Sequence, residues 1–280
     1  MCRRQIKRPR LKRIMLIKSL YKLVFAAILA ALALPVTASL DIIPCTVGNK
    51  WEFGCANVLR ATISFQGNAI ANLNKASTGS SVYEIASVDS KGSQPVYEYV
   101  ETSSMQEVDG ELDTSKTTLR ITSDDTGLRI LSEYKENSQE DEPEKQSYDP
   151  PLFYFSKGAV TGKTWDVGTM ISGEVKTPMA AYCGEKETVT VPAGTFKDCL
   201  KVVYTNDEII GTIDIMKKTF TFTSGRSRGI YWVADGVGVV KELEVSTATA
   251  ETPGPGGKMF TMEMATCTVN ELKPGYTVKK

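Results

Sequence analysis

The chain has 280 residues, 41% of them hydrophobic, with 33 basic and 33 acidic side chains and no histidine. The absence of histidine excludes Ser-His-Asp and Cys-His nucleophilic catalysis, HExxH zinc sites and histidine general bases. Residues 1–38 hold nine basic side chains and no acidic one, so the remainder carries 24 basic and 33 acidic side chains, a net charge of −9. Because such a chain repels phosphate backbones, we exclude nucleic acid as a partner.

The first 38 residues have the composition of a secretory signal peptide. A basic leader precedes the apolar run Leu23–Val36, which is about 14 residues long and short of the roughly 20 that span a bilayer. We expect signal peptidase to cleave after Ala38 and release a mature chain beginning at Ser39 into the periplasm or the medium. A retained membrane anchor is the alternative. Translation starts at Met1 or Met15, since the sequence from Met15 has signal-peptide proportions by itself.

The rest of the chain has the pattern of an antiparallel β protein. β-Branched or alternating segments are separated by glycine, Asn-Asp and Pro-Gly turns, and Asp235-Gly236 marks a hairpin between two apolar runs. The expected strands are Val58–Phe65, Val82–Val88, Val96–Thr102, Lys116–Thr122, Gly127–Glu133, Thr164–Val175, Thr188–Val191, Cys199–Tyr204, Glu208–Thr223, Gly229–Ala234, Val237–Val245 and Lys258–Thr268. We predict an all-β domain over 39–280, a large curved antiparallel sheet or half-barrel with few short helices, preceded by the signal-peptide helix.

Two features leave open whether this domain has two sub-halves, 39–135 and 152–280. The segment 136–151 is acidic and contains proline, which is typical of a solvated loop or linker. Gly48 and Gly162 each stand three residues before a tryptophan that opens a strand. This echo indicates either a duplicated half or one turn used twice.

The stretch Glu187–Tyr204 predicts a complete hairpin. Its β-branched first strand is ended by Pro192, which has no ladder donor, and Gly194 supplies the positive φ of a tight loop. With Ala193–Gly194–Thr195 as the loop, Thr188 would face Leu200, Val189 would face Cys199 and Glu187 would face Lys201. Phe196 is predicted to be buried.

The same hairpin carries a resemblance to a known family. Val191–Val202 reads VPAGTFKDCLKV, Tyr231–Lys241 reads YWVADGVGVVK and Pro44–Phe53 reads PCTVGNKWEF. Together these motifs resemble a domain-of-unknown-function family of secreted bacterial β proteins, and more distantly the lipoprotein-carrier (LolA/LolB-like) half-barrels. The resemblance spans most of Pro44–Lys241 and implies a curved sheet with a concave apolar face. Its turn residues, Gly48, Asp235, Gly236 and Gly238 among them, have structural roles, and no catalytic residue comes with it.

Export makes disulfides the default for the five cysteines that follow the leader. In the predicted register Cys199 lies about 20 Å from Cys183, beyond the ~7 Å Cα limit for a bridge. We therefore predict Cys45–Cys55 and Cys183–Cys267, with Cys199 as a buried small hydrophobe. Only a chain reversal at Gly184 would restore a Cys183–Cys199 pair.

No other stretch specifies a reactive site. Asp124–Gly127 lacks the spaced oxygens of a calcium loop and is typical of a turn, so we expect no metal and no cofactor. The aromatic residues Trp51, Trp165, Tyr231 and Trp232 either line a ligand cleft or fill the core.

These observations favour an exported, non-enzymatic envelope protein that binds a hydrophobic or envelope-derived ligand on the concave face of its sheet. The expected partners are a lipid, a lipoprotein or another envelope component. The alternatives are a structural or interaction module without a small ligand, and a carboxylate-based hydrolase.

Overall fold

A computed structural model describes residues 41–279 except 109, 111, 138–142, 173 and 216–217. The predicted signal peptide, its cleavage site and both candidate start residues lie outside the described residues. The strands are β1 (Lys50–Phe65), β2 (Asn68–Asp89), β3 (Val96–Glu107), β4 (Leu112–Ser123), β5 (Gly127–Asn137), β6 (Glu144–Ser156), β7 (Thr164–Ser172), β8 (Val175–Val191), β9 (Gly194–Asn206), β10 (Thr212–Ile215), β11 (Lys218–Ala234), β12 (Gly238–Pro253) and β13 (Met259–Leu272). A short 3-10 turn occupies Pro255–Gly257. Among these described segments, no helix is long and apolar enough to cross a lipid bilayer.

The strands form one antiparallel sheet that nearly closes into a barrel. Its order is β6-β5-β4-β3-β2-β1-β13-β12-β11-β9-β8-β7, with β10 added beside β11. The two edge strands, β6 and β7, follow one another in the chain and lie in contact. The predicted all-β class and curved antiparallel sheet are therefore confirmed.

Tight turns fix the long hairpins. Gln66 and Gly67, with φ of 56° and 78°, connect β1 to β2 in a two-residue turn. Positive φ at both turn residues matches the right-handed twist of the paired strands. Asp235-Gly236 lies in the turn between β11 and β12, where Gly236 has a φ of 68°. Gly48, with a φ of 84°, precedes β1, and its N–H donates to Ile85 O at 2.8 Å.

The register predicted for the β8–β9 hairpin is wrong. Val191 pairs with Gly194, so the turn has the two residues Pro192-Ala193 instead of three. Leu200 pairs with Lys186 and not with Thr188, because the turn lies earlier in the chain than predicted and a bulge between Glu187 and Val189 offsets this displacement by only one residue. The sequence does not reveal a long-range contact at this turn, in which Ala193 N–H donates to the Leu272 carbonyl oxygen on β13 at 2.9 Å.

Two other features of this hairpin are as predicted, and a third, the burial of Phe196, is less than predicted. Glu187 and Lys201 form an ion pair of 2.7 Å across the bulge. Gly194 has a φ of 137°. Phe196 is half-buried, whereas full burial is predicted. Its ring centroid lies 6.4 Å from that of Tyr276, near the end of the chain.

The segment predicted as an acidic linker is in part a strand. β6 pairs with β5, and its second half buries Leu152 and Phe155. The first half alternates exposed and less exposed residues and buries Tyr148. Acidic residues mask this pattern in the sequence. One of them, Asp149, is exposed on this edge strand, where charge also opposes unwanted pairing.

The main core lies at one end of the strands. It includes Trp51, Phe155, Val202 and Val233, and it is covered by Ile42 and Ile43, which precede β1. A smaller second core surrounds Phe220, Ala250 and Met262 near the opposite ends of β11, β12 and β13.

The predicted disulfides are not formed in the described structure. The free thiols are Cys45, Cys55, Cys183, Cys199 and Cys267. Cys183 on β8 and Cys267 on β13 are four strands apart in the sheet order, about 19 Å along the sheet. Cys45 lies before β1 and its thiol donates to Ile43 O, whereas the Cys55 thiol contacts Ser81 Oγ on β2 at 3.5 Å. The spacing of the cysteines in the sequence does not show on which strands they lie, so the predicted pairs are wrong.

Candidate ligand cavity

The barrel interior contains a cavity with two lobes of about 490 Å³ and about 390 Å³. Both lobes are lined by Glu133, Lys135, Tyr154, Met170, Tyr231 and Glu244, so they are adjacent and share part of their walls. Ile42 and Ile43 lie at one end of the larger lobe. Volumes of this size are typical of small-molecule sites in proteins.

Tyrosine rings form much of the cavity wall. Tyr83 stacks on Tyr99 with ring centroids 5.6 Å apart, and Tyr154 stacks on Tyr204 at 5.0 Å. Tyr231 meets Tyr204 edge-on at 5.1 Å. Burial raises the pKa of all five hydroxyls above its ordinary value, so they stay neutral at physiological pH and act as hydrogen-bond donors and acceptors.

A glycine makes room for these rings. Gly229 on β11 pairs with Tyr204 on β9. A Cβ at this position would lie 3.0 Å from the ring of Tyr231. The missing side chain therefore allows two tyrosines from neighbouring strands to meet inside the barrel.

A row of polar residues crosses the inner face of four neighbouring strands. Tyr231 on β11 pairs with Glu242 on β12, Glu242 with Asn270 on β13, and Asn270 with Cys55 on β1. Asn270 Nδ2 donates to Glu242 Oε2 at 3.0 Å, and Tyr231 also hydrogen-bonds Glu242. Asn270 is only 8% exposed, and its Oδ1 has no hydrogen-bond partner among the described residues.

The cavity lining is acidic. Its described charged residues are Glu101, Glu133, Glu144, Glu242 and Glu244 against Lys135. Burial raises the pKa of Glu133, Glu242 and Glu244, and the neighbouring carboxylates Glu244 and Glu101 raise that of Glu242 further. Tyr83 donates to Glu101 at 2.9 Å, so hydroxyls solvate these groups in place of water. Within the described ranges, no three His, Cys, Asp or Glu side chains cluster as a metal site requires.

The matching outer face of the same strands carries complete ion pairs. Lys241 contacts Glu271 at 2.7 Å, and Lys201 contacts Glu187 at 2.7 Å. Trp232 lies between these pairs, with the two ammonium groups 5.9 Å and 5.7 Å from its ring centroid, and its Nε1 donates to Glu187 at 2.8 Å. The outer charges are thus neutralised within the protein, unlike those facing the cavity.

No family model matches the chain, and no curated protein matches it. Among solved structures, a crystal structure from Parabacteroides distasonis named "putative lipoprotein" is similar over 84% of this chain and 99% of that chain, with 18% sequence identity and a TM-score of 0.31. This similarity is too low to identify a family or a function. The resemblance to secreted β proteins of unknown function and to lipoprotein carriers stays a prediction.

The four aromatic residues singled out from the sequence have different locations. Tyr231 lines the cavity. Trp51 is buried in the core, where its Nε1 donates to Val237 O at 2.7 Å. Trp165 packs edge-on against Tyr204 at 6.4 Å, behind the cavity wall. Trp232 lies on the outer face described above, so the structure brings only one of the four to the cavity.

Sequence reasoning missed the residues that give the cavity its charge. In Lys241–Thr247 (KELEVST), Leu243 and Val245 suggest the inward face, yet Glu242, Glu244 and Ser246 line the cavity. A bulge opposite Trp232 and Val233 shifts the pairing near the start of β12. The available signal was the alternation of Glu242, Glu244 and Ser246, which becomes informative once the register is known.

Proposed function

We propose that this chain is an exported, non-enzymatic protein of the cell envelope that holds one small amphiphilic molecule inside its barrel. The observation that carries the proposal is the two-lobed cavity, which combines an apolar and aromatic wall with a few polar groups, as ligand sites do. The sequence analysis expects a hydrophobic ligand, but a purely apolar molecule does not suit this lining. It would displace water from the carboxylates and hydroxyls without offering them hydrogen bonds.

The thiols support a binding role over a catalytic one. Burial raises the pKa of Cys45 to about 12 and that of Cys183 to about 11, and it also raises those of Cys55 and Cys199. Reactive cysteines require the opposite shift, because the thiolate is the nucleophile. With no histidine in the sequence, no imidazole activates these thiols.

The binding role is tested with two matched variants on β4. Thr117 lines the larger lobe, and the next residue, Thr118, points to the other face of the strand. Protein purified under mild conditions from its native host is weighed by native mass spectrometry. We expect a bound small molecule in the wild type and in Thr118→Phe, and its loss in Thr117→Phe, where the ring fills the lobe. Equal occupancy in both variants would refute the cavity as the site.

Export rests on the basic leader and the short apolar run at the start of the sequence. N-terminal sequencing of the native protein should give a terminus at or near Ser39. An intact leader in a cytoplasmic fraction would contradict this part of the proposal.

A carboxylate-based hydrolase is the second candidate. Glu242 and Glu244 project into the cavity two residues apart, roughly 7 Å along the strand, and both have raised pKa values. A raised pKa is a property of general acids in glycoside hydrolysis. The bound molecule itself distinguishes the two functions: a binding protein returns it with unchanged mass after prolonged incubation, whereas a hydrolase releases fragments and loses this activity in Glu244→Gln.

A further inference from the structure

The cavity contains negative charge that the described protein does not neutralise. The five carboxylates of its lining face one ammonium group, that of Lys135. Lys135 lies opposite Glu144 in the β5–β6 ladder, and its positive charge partly offsets the burial that raises the pKa of Glu133, so this ammonium group acts on the β5–β6 side of the cavity. On the β12 side of the barrel, Glu242 has a hydroxyl and an amide as hydrogen-bond partners instead of a cation.

The basic residues of the adjacent strands are not available to Glu242. Lys241 is adjacent to Glu242 in sequence but lies on the outer face, where it contacts Glu271 at 2.7 Å. Lys273 lies three residues after Asn270 and contacts Glu52 at 3.0 Å. Lys201 is likewise engaged by a carboxylate on that face. Around Glu242, the sequence therefore places cations and carboxylates together on the outer face and carboxylates without a neighbouring cation on the inner face.

Asn270 holds the Glu242 carboxylate from the neighbouring strand. Its side chain is more than nine-tenths buried on the inner face, and Nδ2 donates to Glu242 Oε2 at 3.0 Å. Asn270 lines neither lobe, so it orients Glu242 and does not itself face the cavity. This neutral amide adds no positive charge, and no ion pair joins Glu242 to a basic residue in the part of the chain that the structure describes.

We propose that this inner row recognises a primary ammonium group, with Glu242 as counter-ion and the Tyr231 hydroxyl as a second acceptor. A primary ammonium has three N–H donors and one positive charge, which match the carboxylates of Glu242 and Glu244 and a tyrosine hydroxyl in the lining of the larger lobe. The tyrosine rings favour the same ligand class, because aromatic faces attract cations when both are removed from water. The proposal rests on the function proposed above and adds the chemical class of the ligand.

The test measures binding of three probes that share one alkyl chain, octylamine, octanol and octanoate, by calorimetry at about neutral pH. We expect the wild type to bind octylamine about tenfold or more tightly than octanol, and octanoate most weakly, because a charge-assisted hydrogen bond is worth roughly a factor of ten. Glu242→Gln keeps the shape and the acceptor for Asn270 Nδ2, and it should abolish the preference for the amine. Glu271→Gln is the matched control on the outer face and should retain the preference.

The outcomes separate this proposal from the proposed function. If octanol binds as tightly as octylamine to the wild type, or if Glu242→Gln keeps the preference for the amine, recognition of an ammonium group is refuted while the binding cavity stands. If none of the three probes binds the wild type, both proposals fail. Because the comparison of probes needs only the wild type, poor folding of a variant does not prevent a decision.

Discussion

Glu242 and Asn270 lie directly opposite each other on β12 and β13, and the Asn270 amide donates to the Glu242 carboxylate at 3.0 Å. At the next position of the ladder, Lys241 and Glu271 form the corresponding pair on the outer face at 2.7 Å. The two faces of the same ladder thus differ in one respect: the outer pair contains its own cation, whereas the inner pair does not. This difference gives the cavity its chemical character.

The pH dependence of stability should show the cost of the inner carboxylate. Burial raises the pKa of Glu242 above its ordinary value of 4.5, so the folded state binds more protons than the unfolded state as the pH rises above 4.5. The free energy of unfolding therefore decreases over this window. Glu242→Gln removes the ionisation, and we expect a higher melting temperature than the wild type at neutral pH and a difference that shrinks near pH 4.5.

The comparison of wild type with Glu242→Gln requires that the other titratable groups of the cavity are the same in both proteins. The titratable groups that face Glu242 or line the same space are Glu101, Glu133, Glu144, Glu244, Lys135, Cys55, Tyr83, Tyr99, Tyr148, Tyr154, Tyr204 and Tyr231. All of them are present in both proteins, so the difference between the two melting curves isolates position 242. A melting temperature for Glu242→Gln below that of the wild type at neutral pH would show that the carboxylate is stabilised in the folded protein.

Two adjacent aromatic residues on β11 should respond differently to loss of their polar atom. Trp232→Phe removes the hydrogen bond to Glu187 on the outer face and should cost about 1–2 kcal/mol of stability without changing octylamine affinity. Tyr231→Phe removes the hydroxyl that bonds Glu242 inside the cavity and should weaken octylamine binding. Thermal melts and calorimetry on both variants check this, and reduced affinity in Trp232→Phe alone would reverse the assignment of faces.

How much the sequence predicts depends on how local the determinant is. The Asp235-Gly236 hairpin and most strand positions follow from turn chemistry and alternation within a few residues. The register of β8 and β9 does not, because the contact from Ala193 to Leu272 joins residues far apart in the chain. The sequence also does not predict that Glu242 points inward. A bulge near the start of β12 shifts the pairing by one residue, and such a shift exchanges the two faces of a strand.

The turn between β4 and β5 is a second site at which pH affects stability. Asp124 accepts bonds from Thr126 Oγ1 at 2.6 Å and from the N–H groups of Thr126 and Gly127, and it pairs with Arg129 at 2.8 Å. The Thr126 hydroxyl and these other partners hold the pKa of Asp124 well below its ordinary value of 3.8. We expect Asp124→Ala to cost about 2 kcal/mol at neutral pH.

The sign of this effect is opposite to that at Glu242. Because the folded pKa is lowered, the contribution of Asp124 is fully present above the unfolded value of 3.8 and is lost as the pH falls through the lower folded value. The control is Asp125→Ala, at the exposed neighbouring position, which should stay within about 0.5 kcal/mol of the wild type. Denaturant titrations of the three proteins check this, and an equal loss in both variants would mean that the turn does not depend on the Asp124 carboxylate.

Two glycines in the β11–β12 connection separate backbone strain from steric contact. Gly236 and Gly238 have φ of 68° and 92°, but a Cβ at Gly236 would meet nothing within 4 Å, whereas one at Gly238 would lie 2.8 Å from Ile42 O and 3.0 Å from Pro44 Cδ. Gly236→Ala should therefore cost about 1 kcal/mol from strain alone. Gly238→Ala should cost about 2 kcal/mol or more, because it also displaces the segment that carries Ile42 across the end of the cavity.

Octylamine binding is the second measurement for Gly236→Ala and Gly238→Ala. If the segment around Ile42 closes the larger lobe, Gly238→Ala should weaken octylamine binding while Gly236→Ala leaves it unchanged, even after both proteins are compared well below their melting temperatures. Equal destabilisation of the two variants with equal affinities would show that the contact of Gly238 with Ile42 contributes nothing beyond the turn, and that the end of the cavity is closed by other residues.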